Sequence, residues 1–257
     1  MKHSFSAITA LFAAVLLTSG CSLLGKVNWD SEQLAAAATS AMTAVSITDA
    51  QIVELSTQAV KQYDSENTVD TGVYHNRLKK LLGGVTVDGL SLNFKVYKKD
   101  EVNAFACGDG SIRVYSGLMD VMSDGELMAI IGHEIGHVVH KDTKNAMKKA
   151  YMTAAARDVV NAAGTIGTLS KTTLGDIAES YIGSQFSQKQ EFAADEYGFE
   201  FAIKQGFDKY SMATSLEKLV ELAGSSKASL VQKMFSSHPD SETRAARVRE
   251  MADSYGK

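Results

Sequence analysis

The spacing of apolar residues along the chain predicts helices on both sides of a short stretch of strands. Thr48 and Gln51 form a capping-box pattern. Beyond them, apolar residues recur three or four positions apart, which indicates a helix. A second helix is predicted over residues 74–82, where two glycines follow. Apolar and polar residues then alternate over 92–96 and 112–114, which predicts a small antiparallel sheet.

The strongest helix signal begins at Ser123, which forms a capping box with Glu126. Apolar residues between Leu127 and Val138 lie three or four positions apart, so this helix has a face suited to a core. The sequence therefore predicts an α+β fold, mainly α, in which the sheet packs on this helix. Further helices are predicted over residues 140–183 (one or two, rich in small residues), 188–204, 211–223 and 242–255.

The segment His133-Glu134-Ile135-Gly136-His137 fits the pattern H-E-x-x-H inside this predicted helix. Because residues four apart lie on one helical face, both imidazoles can reach a single metal ion. Glu134 then lies beside the ion as the expected general base, the arrangement of a zinc-dependent hydrolase. Gly136 and the glycine four residues before it indicate that another element, or the substrate, approaches this helix closely.

A catalytic zinc ion needs a third protein ligand and one open position. Glu191 and Asp195 are four apart on a predicted helix, so their carboxylates share one face. One of them can bind zinc while the other accepts a hydrogen bond from a ligand histidine. Asp142 and Asp158 also follow the motif, but no pattern supports them. We expect Glu191 as the ligand and Asp195 as its support.

His238 precedes Pro239, the single proline of the chain, and proline restricts the residue before it to extended conformations. Arg244 follows one or two turns into the last predicted helix and is expected next to the metal ligands. Either His238 or Arg244 could meet the negative charge that develops on the scissile carbonyl oxygen. Alternatively, His238 could cover the open zinc position and keep the enzyme latent.

Composition allows one domain, or two closely packed ones, after an N-terminus that is expected to be processed. With 257 residues and 45% hydrophobic content, the chain can bury a full core, and the domain that carries the predicted zinc motif is placed at residues 48–257. Its mixed charges do not suggest a nucleic-acid partner. Residues 1–20 have a short apolar run followed by small residues and are interpreted as a signal peptide. Residues 21–47 are interpreted as a lipid anchor and tether.

Cys21 resembles the lipidated first residue of bacterial lipoproteins, although Thr18 stands where leucine is usual. A secretory signal that is cut nearby remains the alternative. Ser22 is similar to the residue after the cysteine in lipoproteins of the outer membrane, so we expect an anchor facing the periplasm. Cys107, in a turn-like segment without an evident base, is interpreted as an unreactive loop thiol.

In combination, the motifs resemble the HtpX/CAAX-prenyl-protease family of zinc metallopeptidases, especially its periplasmic lipoprotein branch of LoiP-type proteases. The resemblance implies a zincin-like metalloprotease domain with Glu191 as the third ligand and His238 over the zinc. It also implies that the strand near Ile112–Tyr115 is the sheet edge on which an extended peptide lies. The matching pieces, in chain order, are residues 103–106, 114–118, 133–137, 191–195 and 238–239, with Arg244.

From this resemblance we expect an endopeptidase with one zinc ion per chain that hydrolyses misfolded or unassembled envelope proteins in extended conformation. Contact with the membrane is expected through the lipid anchor only, and envelope assembly factors or proteases are possible partners. The alternative from another class is a zinc-stabilised periplasmic chaperone or assembly factor with little proteolytic turnover. A zinc hydrolase of non-peptide substrates fits the edge strand less well.

Overall fold

The computed structural model describes residues 47–87, 89–157 and 169–256. The predicted signal peptide, Cys21, the tether up to residue 46 and Asp158 lie outside the described residues. Within those three ranges, no helix is both long enough and apolar enough to cross a membrane.

Most of the described residues are helical. In chain order the helices are α1 (Asp49–Glu66), α2 (Val73–Leu82), α3 (Ser116–Val121), α4 (Asp124–Val139), α5 (Asp142–Arg157), α6 (Lys171–Ile182), α7 (Gln188–Lys204), α8 (Ser211–Ala223), α9 (Ala228–Ser237) and α10 (Ser241–Ser254). The strands are β1 (Val69–Asp70), β2 (Asn93–Tyr97), β3 (Ala104–Ala106) and β4 (Ser111–Tyr115). The predicted mainly helical α+β fold is confirmed, and the capping boxes of α1 and α4 begin their helices as predicted.

The strands form one mixed sheet in the order β1-β2-β4-β3, so the prediction of an antiparallel sheet was wrong in part. The two strands that the alternation predicted, β2 and β4, pair in parallel. Parallel neighbours need a crossover connection, and residues 98–110, which include β3, supply it. The turn ending at Gly110 therefore joins β3 to β4. Gly110 has φ of 85°, and a Cβ there would lie 2.3 Å from the Ser91 carbonyl oxygen, so only glycine fits.

The position of the sheet edge also differs from the expectation. Strand β4, which contains Ile112–Tyr115, is an interior strand paired with β2 on one side and β3 on the other. The edge next to the metal-motif helix is β3, which packs against α4. Sequence alternation missed β3 because all its residues are buried, which removes the alternation of apolar and polar residues.

The sheet separates two apolar layers, since alternate residues of a strand face opposite sides. Val96, Ile112 and Val114 face the larger layer, which contains α4 with parts of α7, α8 and α10. Tyr97 and Tyr115 face the smaller layer, which is built with α1, α5 and α6. Helix α4 is therefore buried against the sheet on one side and against helices on the other.

Helices α4 and α7 approach each other at backbone distance. A Cβ on Gly136 would lie 3.2 Å from the Ala194 Cα, and a Cβ on Gly198 would lie 2.9 Å from the His133 backbone nitrogen. The contact at Gly136 confirms that a glycine of α4 allows another element to approach. The acids of α7 can therefore reach the histidines of α4.

Candidate metal centre

The two motif histidines point from α4 into a buried space. Ser123 caps the helix and Glu126 bonds back to the Ser123 backbone nitrogen, so the helical spacing holds from the first turn. His133 and His137 are both buried, and their Nε2 atoms lie 3.1 Å apart. Two imidazole Nε2 atoms at this separation are suited to binding one cation together.

Helix α7 brings Glu191 to the same point. Its Oε2 lies 3.6 Å from His133 Nε2, and its Oε1 lies 3.5 Å from His137 Nε2. The side chain is fully buried, and Ser187 caps the helix one turn earlier. Close packing of α4 and α7 thus joins residues that are more than fifty positions apart in sequence.

His238, at the end of α9, is the fourth residue of the group. It is the C-cap of α9, and its Nδ1 lies 3.3 Å from His133 Nε2 and 3.0 Å from Glu191 Oε1. The helices predicted over residues 211–223 and 242–255 left out α9, which lies between them. Apolar residues over 230–235 follow helical spacing and could have revealed α9.

The four donors His133, His137, Glu191 and His238 fit a small metal ion. Their ligand atoms all lie within 4.8 Å of one another. Atoms bound tetrahedrally at about 2.0–2.1 Å from one zinc ion are separated by about 3.4 Å. Five contacts between donor atoms of these residues, at 3.0 to 3.6 Å, bracket that value. Imidazole nitrogen with a carboxylate is also a donor set suited to zinc.

Carboxylates behind the histidines fix which ring nitrogen faces the group. His133 Nδ1 lies 2.9 Å from Asp195 Oδ1, and His137 Nδ1 lies 3.0 Å from Asp142 Oδ2. A ring that donates its Nδ1–H to a carboxylate keeps the Nε2 lone pair for a metal. Asp142, considered from the sequence as a ligand, therefore lies on the opposite side of His137 from the donor group.

Arg244 connects the two acids of α7. Its Nη1 lies 2.6 Å from Glu191 Oε2, its Nη2 lies 2.6 Å from Asp195 Oδ1, and its Nε lies 2.8 Å from Asp195 Oδ2. Burial acts to raise the pKa of Asp195, but Arg244 and His133 outweigh it and lower the pKa to about 2. With its donors engaged by these carboxylates, Arg244 supports the site from behind.

The site carries more negative than positive charge. Four buried carboxylates, those of Glu134, Asp142, Glu191 and Asp195, surround the imidazoles, with Arg244 as the guanidinium among them. Their effect appears at His137: burial acts to lower its pKa, but hydrogen bonds with Asp142 and Glu191 raise it to about 9. A divalent cation would balance this excess.

Glu134 lies beside the donor group without belonging to it. It is buried, and within the described ranges its Oε1 has no hydrogen-bond partner. Its Oε1 lies 3.6 Å from His238 Nε2. A buried carboxylate oxygen is normally hydrogen-bonded, so this atom is positioned to accept a proton from a molecule that enters the site.

Two further residues of the site had no signal in the sequence. The ring of Phe186 stacks on His137 with centroids 4.0 Å apart, and its backbone nitrogen donates to Ser237 O at 3.5 Å. Gln190 donates to Asp142 at 2.6 Å. Both contacts join elements that are distant in the chain, so local periodicity could not predict them.

Sequence comparisons agree with this geometry. Residues 72–252 match Peptidase family M48. Metalloprotease LoiP of Escherichia coli (strain K12) is 39% identical over 254 residues, 97% of each chain. Metalloprotease YcaL of the same strain is 35% identical over 255 residues, 97% of this chain and 98% of YcaL. The beta-barrel assembly-enhancing protease of that strain is 30% identical over 176 residues, 63% of this chain and 34% of that protein. The predicted resemblance to LoiP-type proteases is thus confirmed, and the chain belongs to peptidase family M48 as a metallopeptidase.

Proposed function

We propose that this metallopeptidase is a zinc-dependent endopeptidase that hydrolyses peptide bonds of misfolded or unassembled envelope proteins. His133, His137 and Glu191 would hold the zinc ion, with Asp195 and Arg244 supporting them. The observation that carries the proposal is the convergence of these donors from α4 and α7 within 3.1 to 3.6 Å of one another.

The residues of the site suit hydrolysis by a general-base mechanism. When bound, zinc supplies Lewis-acid chemistry that polarises a carbonyl group and lowers the pKa of water. The unpartnered Oε1 of Glu134 accepts a proton from the attacking water, and Glu134 then passes that proton to the amine of the leaving product. Asp195 and Asp142 hold the two imidazole rings in place during both transfers.

An extended peptide would pair with the edge strand β3. The main-chain groups of Ala104 and Ala106 face away from β4, because alternate residues make the hydrogen bonds to β4. The Ala106 carbonyl oxygen accepts a hydrogen bond from Tyr181 of α6. We expect a substrate to replace this contact, and main-chain pairing would make recognition tolerant of sequence.

For His238, the distances favour a covering role over stabilisation of the transition state. Its Nδ1 lies at ligand-like separation from both His133 and Glu191, where it would close the open zinc position. Turnover would then require His238 to withdraw. In His238→Ala we expect casein cleavage to increase, whereas a large loss would assign His238 to stabilisation of the oxyanion.

The test of the proposed activity compares zinc content and casein cleavage in wild type and Glu134→Gln. We expect one zinc per chain in both proteins and a loss of about 10²–10⁴-fold in cleavage for the variant. Glu200→Gln, on the exposed side of α7, is the matched control and should behave as wild type. Zinc-free wild type, or full activity in Glu134→Gln, would contradict the proposal.

The same variant separates proteolysis from the alternative function as a zinc-stabilised chaperone or assembly factor. Glu134→Gln should keep the fold and the zinc while removing hydrolysis. If cells that carry this variant still perform the biological task, binding is the function. A relative with 30% identity is named beta-barrel assembly-enhancing protease, which makes both outcomes worth measuring in the same cells.

The envelope location depends on lipidation of Cys21, with outer-membrane attachment facing the periplasm. Replacing Cys21 by alanine should release the protein from the membrane fraction, because a multi-chain lipid anchor is the proposed attachment. Continued membrane association of Cys21→Ala would argue against that anchor.

A further inference from the structure

The side-chain amide of Gln190 is engaged at both ends. Its Oε1 accepts hydrogen bonds from the Ser187 backbone nitrogen at 2.9 Å and from the Ser187 hydroxyl at 2.7 Å. Its Nε2 donates to Asp142 Oδ1 at 2.6 Å. The two bonds with Ser187 cap the N-terminus of α7, and the bond with Asp142 joins α7 to α5.

Asp142 divides its two oxygens between this amide and a metal-site histidine. Oδ1 accepts from Gln190, while Oδ2 lies 3.0 Å from His137 Nδ1. Lys141, with φ of 64°, turns the chain sharply after α4 and brings Asp142 back to the histidine. A carboxylate held at both oxygens cannot rotate away, so it fixes the tautomer and the plane of the imidazole.

The capping motif alone does not explain why position 190 is glutamine. A capping box accepts glutamate or glutamine, and α4 of this chain uses Glu126. At position 190, however, glutamate would place a carboxylate oxygen next to the Asp142 carboxylate. Only the amide can accept from Ser187 and donate to Asp142 together.

We propose that Gln190 and Asp142 are a positioning pair that links the start of α7 to the orientation of His137. Through this pair, the segment that presents Glu191 also sets the ring of the histidine that faces it. The inference rests on the proposed zinc site and adds two residues that determine its affinity for zinc.

The experiment measures the zinc dissociation constant by competition with a chelator in the full chain. Loss of an outer hydrogen-bond partner usually weakens metal binding about 10–100-fold, which we expect for Asp142→Asn. Gln190→Glu keeps the cap and should lose about tenfold, at the lower end because Gln190 acts through Asp142. Gln51→Glu makes the same change in the capping box of α1, away from the metal site, and should leave zinc affinity unchanged.

The double variant Asp142→Asn with Gln190→Glu provides the sharpest test. In it, the asparagine amide can donate to the new glutamate while the asparagine carbonyl still accepts from His137. The hydrogen-bond polarity is reversed and all groups are paired again. We expect it to bind zinc about threefold or more tighter than either single variant, a coupling that a general loss of stability does not produce.

The possible outcomes distinguish failure of the positioning pair from failure of the proposed zinc site. Single variants with wild-type zinc affinity, or strictly additive losses in the double variant, overturn it while leaving the proposed zinc enzyme intact. Wild-type protein that binds no zinc overturns both proposals. If Asp142→Asn does not fold, Gln190→Glu and the double variant carry the comparison by themselves, and rescue of affinity in the latter is the expected result.

Discussion

Two groups of charged residues join elements of this fold, and only one of them has the properties of a metal centre. The Asp64 cluster, consisting of Asp64, Lys95, Tyr97 and Arg113, joins α1 to the sheet. The metal cluster, consisting of His133, His137, Glu191 and His238, joins α4, α7 and the end of α9. Arg113 of the first cluster and Glu191 of the second are both buried, so burial of charge alone does not identify the site.

The Asp64 cluster is satisfied internally. Asp64 accepts hydrogen bonds from Arg113 at 2.8 and 3.0 Å, from Lys95 at 2.8 Å and from Tyr97 at 2.6 Å. The guanidinium of Arg113 also donates to the Asn93 and Ile112 carbonyl oxygens, both at 3.0 Å. Donors and acceptors match here and cations outnumber the carboxylate, so nothing further is required.

The metal cluster is unsatisfied by comparison. Acids outnumber the guanidinium of Arg244, four donor atoms point towards one another, and the Glu134 Oε1 has no partner within the described residues. A metal centre is thus distinguished by an excess of buried acids and by unused acceptors, because a purely structural cluster would pair them.

The largest expected effect comes from removing metal. If zinc fills the metal cluster, chelation should abolish casein cleavage and destabilise the fold by about 4 kcal/mol, relative to free zinc at a thousandfold excess over Kd. Thermal unfolding with and without chelator measures this. The Asp64 cluster has no part in zinc binding, so Asp64→Asn should show the same chelator-induced shift. Unfolding that is insensitive to chelator would contradict the assignment of the metal cluster as a zinc site.

The next effect tests the Asp64 cluster. Asp64→Asn removes the charge that faces the buried Arg113, and breaking such a pair destabilises a protein by about 3 kcal/mol. Denaturant unfolding of the zinc-loaded protein should show this loss, while chelator competition should show unchanged zinc affinity. A variant that lost zinc with little loss of stability would mean that the two clusters are coupled.

A smaller effect is expected where α4 meets α7. In Gly136→Ala, the new methyl group would lie 3.0 Å from the Tyr197 Cβ and 3.2 Å from the Ala194 Cα, so the helices must separate slightly. Overpacking of this kind destabilises by about 1–3 kcal/mol and should also weaken zinc binding, because α7 presents Glu191. Gly84→Ala is the matched control, since a Cβ there meets nothing within 4 Å. Equal behaviour of the two variants would contradict the close contact.

The smallest effect concerns acid stability. Burial acts to raise the pKa of Asp64, but hydrogen bonds from Arg113, Lys95 and Tyr97 outweigh it and lower the pKa below 3.8. The unfolded chain therefore takes up this proton first as the pH falls. The stabilisation is complete above the unfolded pKa and is lost as the pH falls through the folded pKa. In metal-free protein, Asp64→Asn should abolish this part of the acid sensitivity, and an unchanged pH profile below pH 4 would contradict it.

Much of the fold follows from local patterns. The capping boxes at Thr48 and Ser123 placed α1 and α4, and the apolar spacing placed α7 and α8 with the observed bounds. Strand order did not follow, because pairing depends on partners distant in the chain. Strand β3 was missed because its complete burial removes the alternation, whereas the helical spacing over residues 230–235 was present in the sequence and was not used to predict α9.

Local sequence was enough to place His133 and His137 on one helical face, with Glu134 beside them, and to place Glu191 and Asp195 together on another face. Helical geometry fixes these relations over four residues. Packing of distant elements was needed to bring Glu191 to both histidines, to place Asp142 and Asp195 behind the rings, and to close the group with His238. These relations depend on the backbone contact between α4 and α7 and on the turn after α9, and no local pattern carries that information.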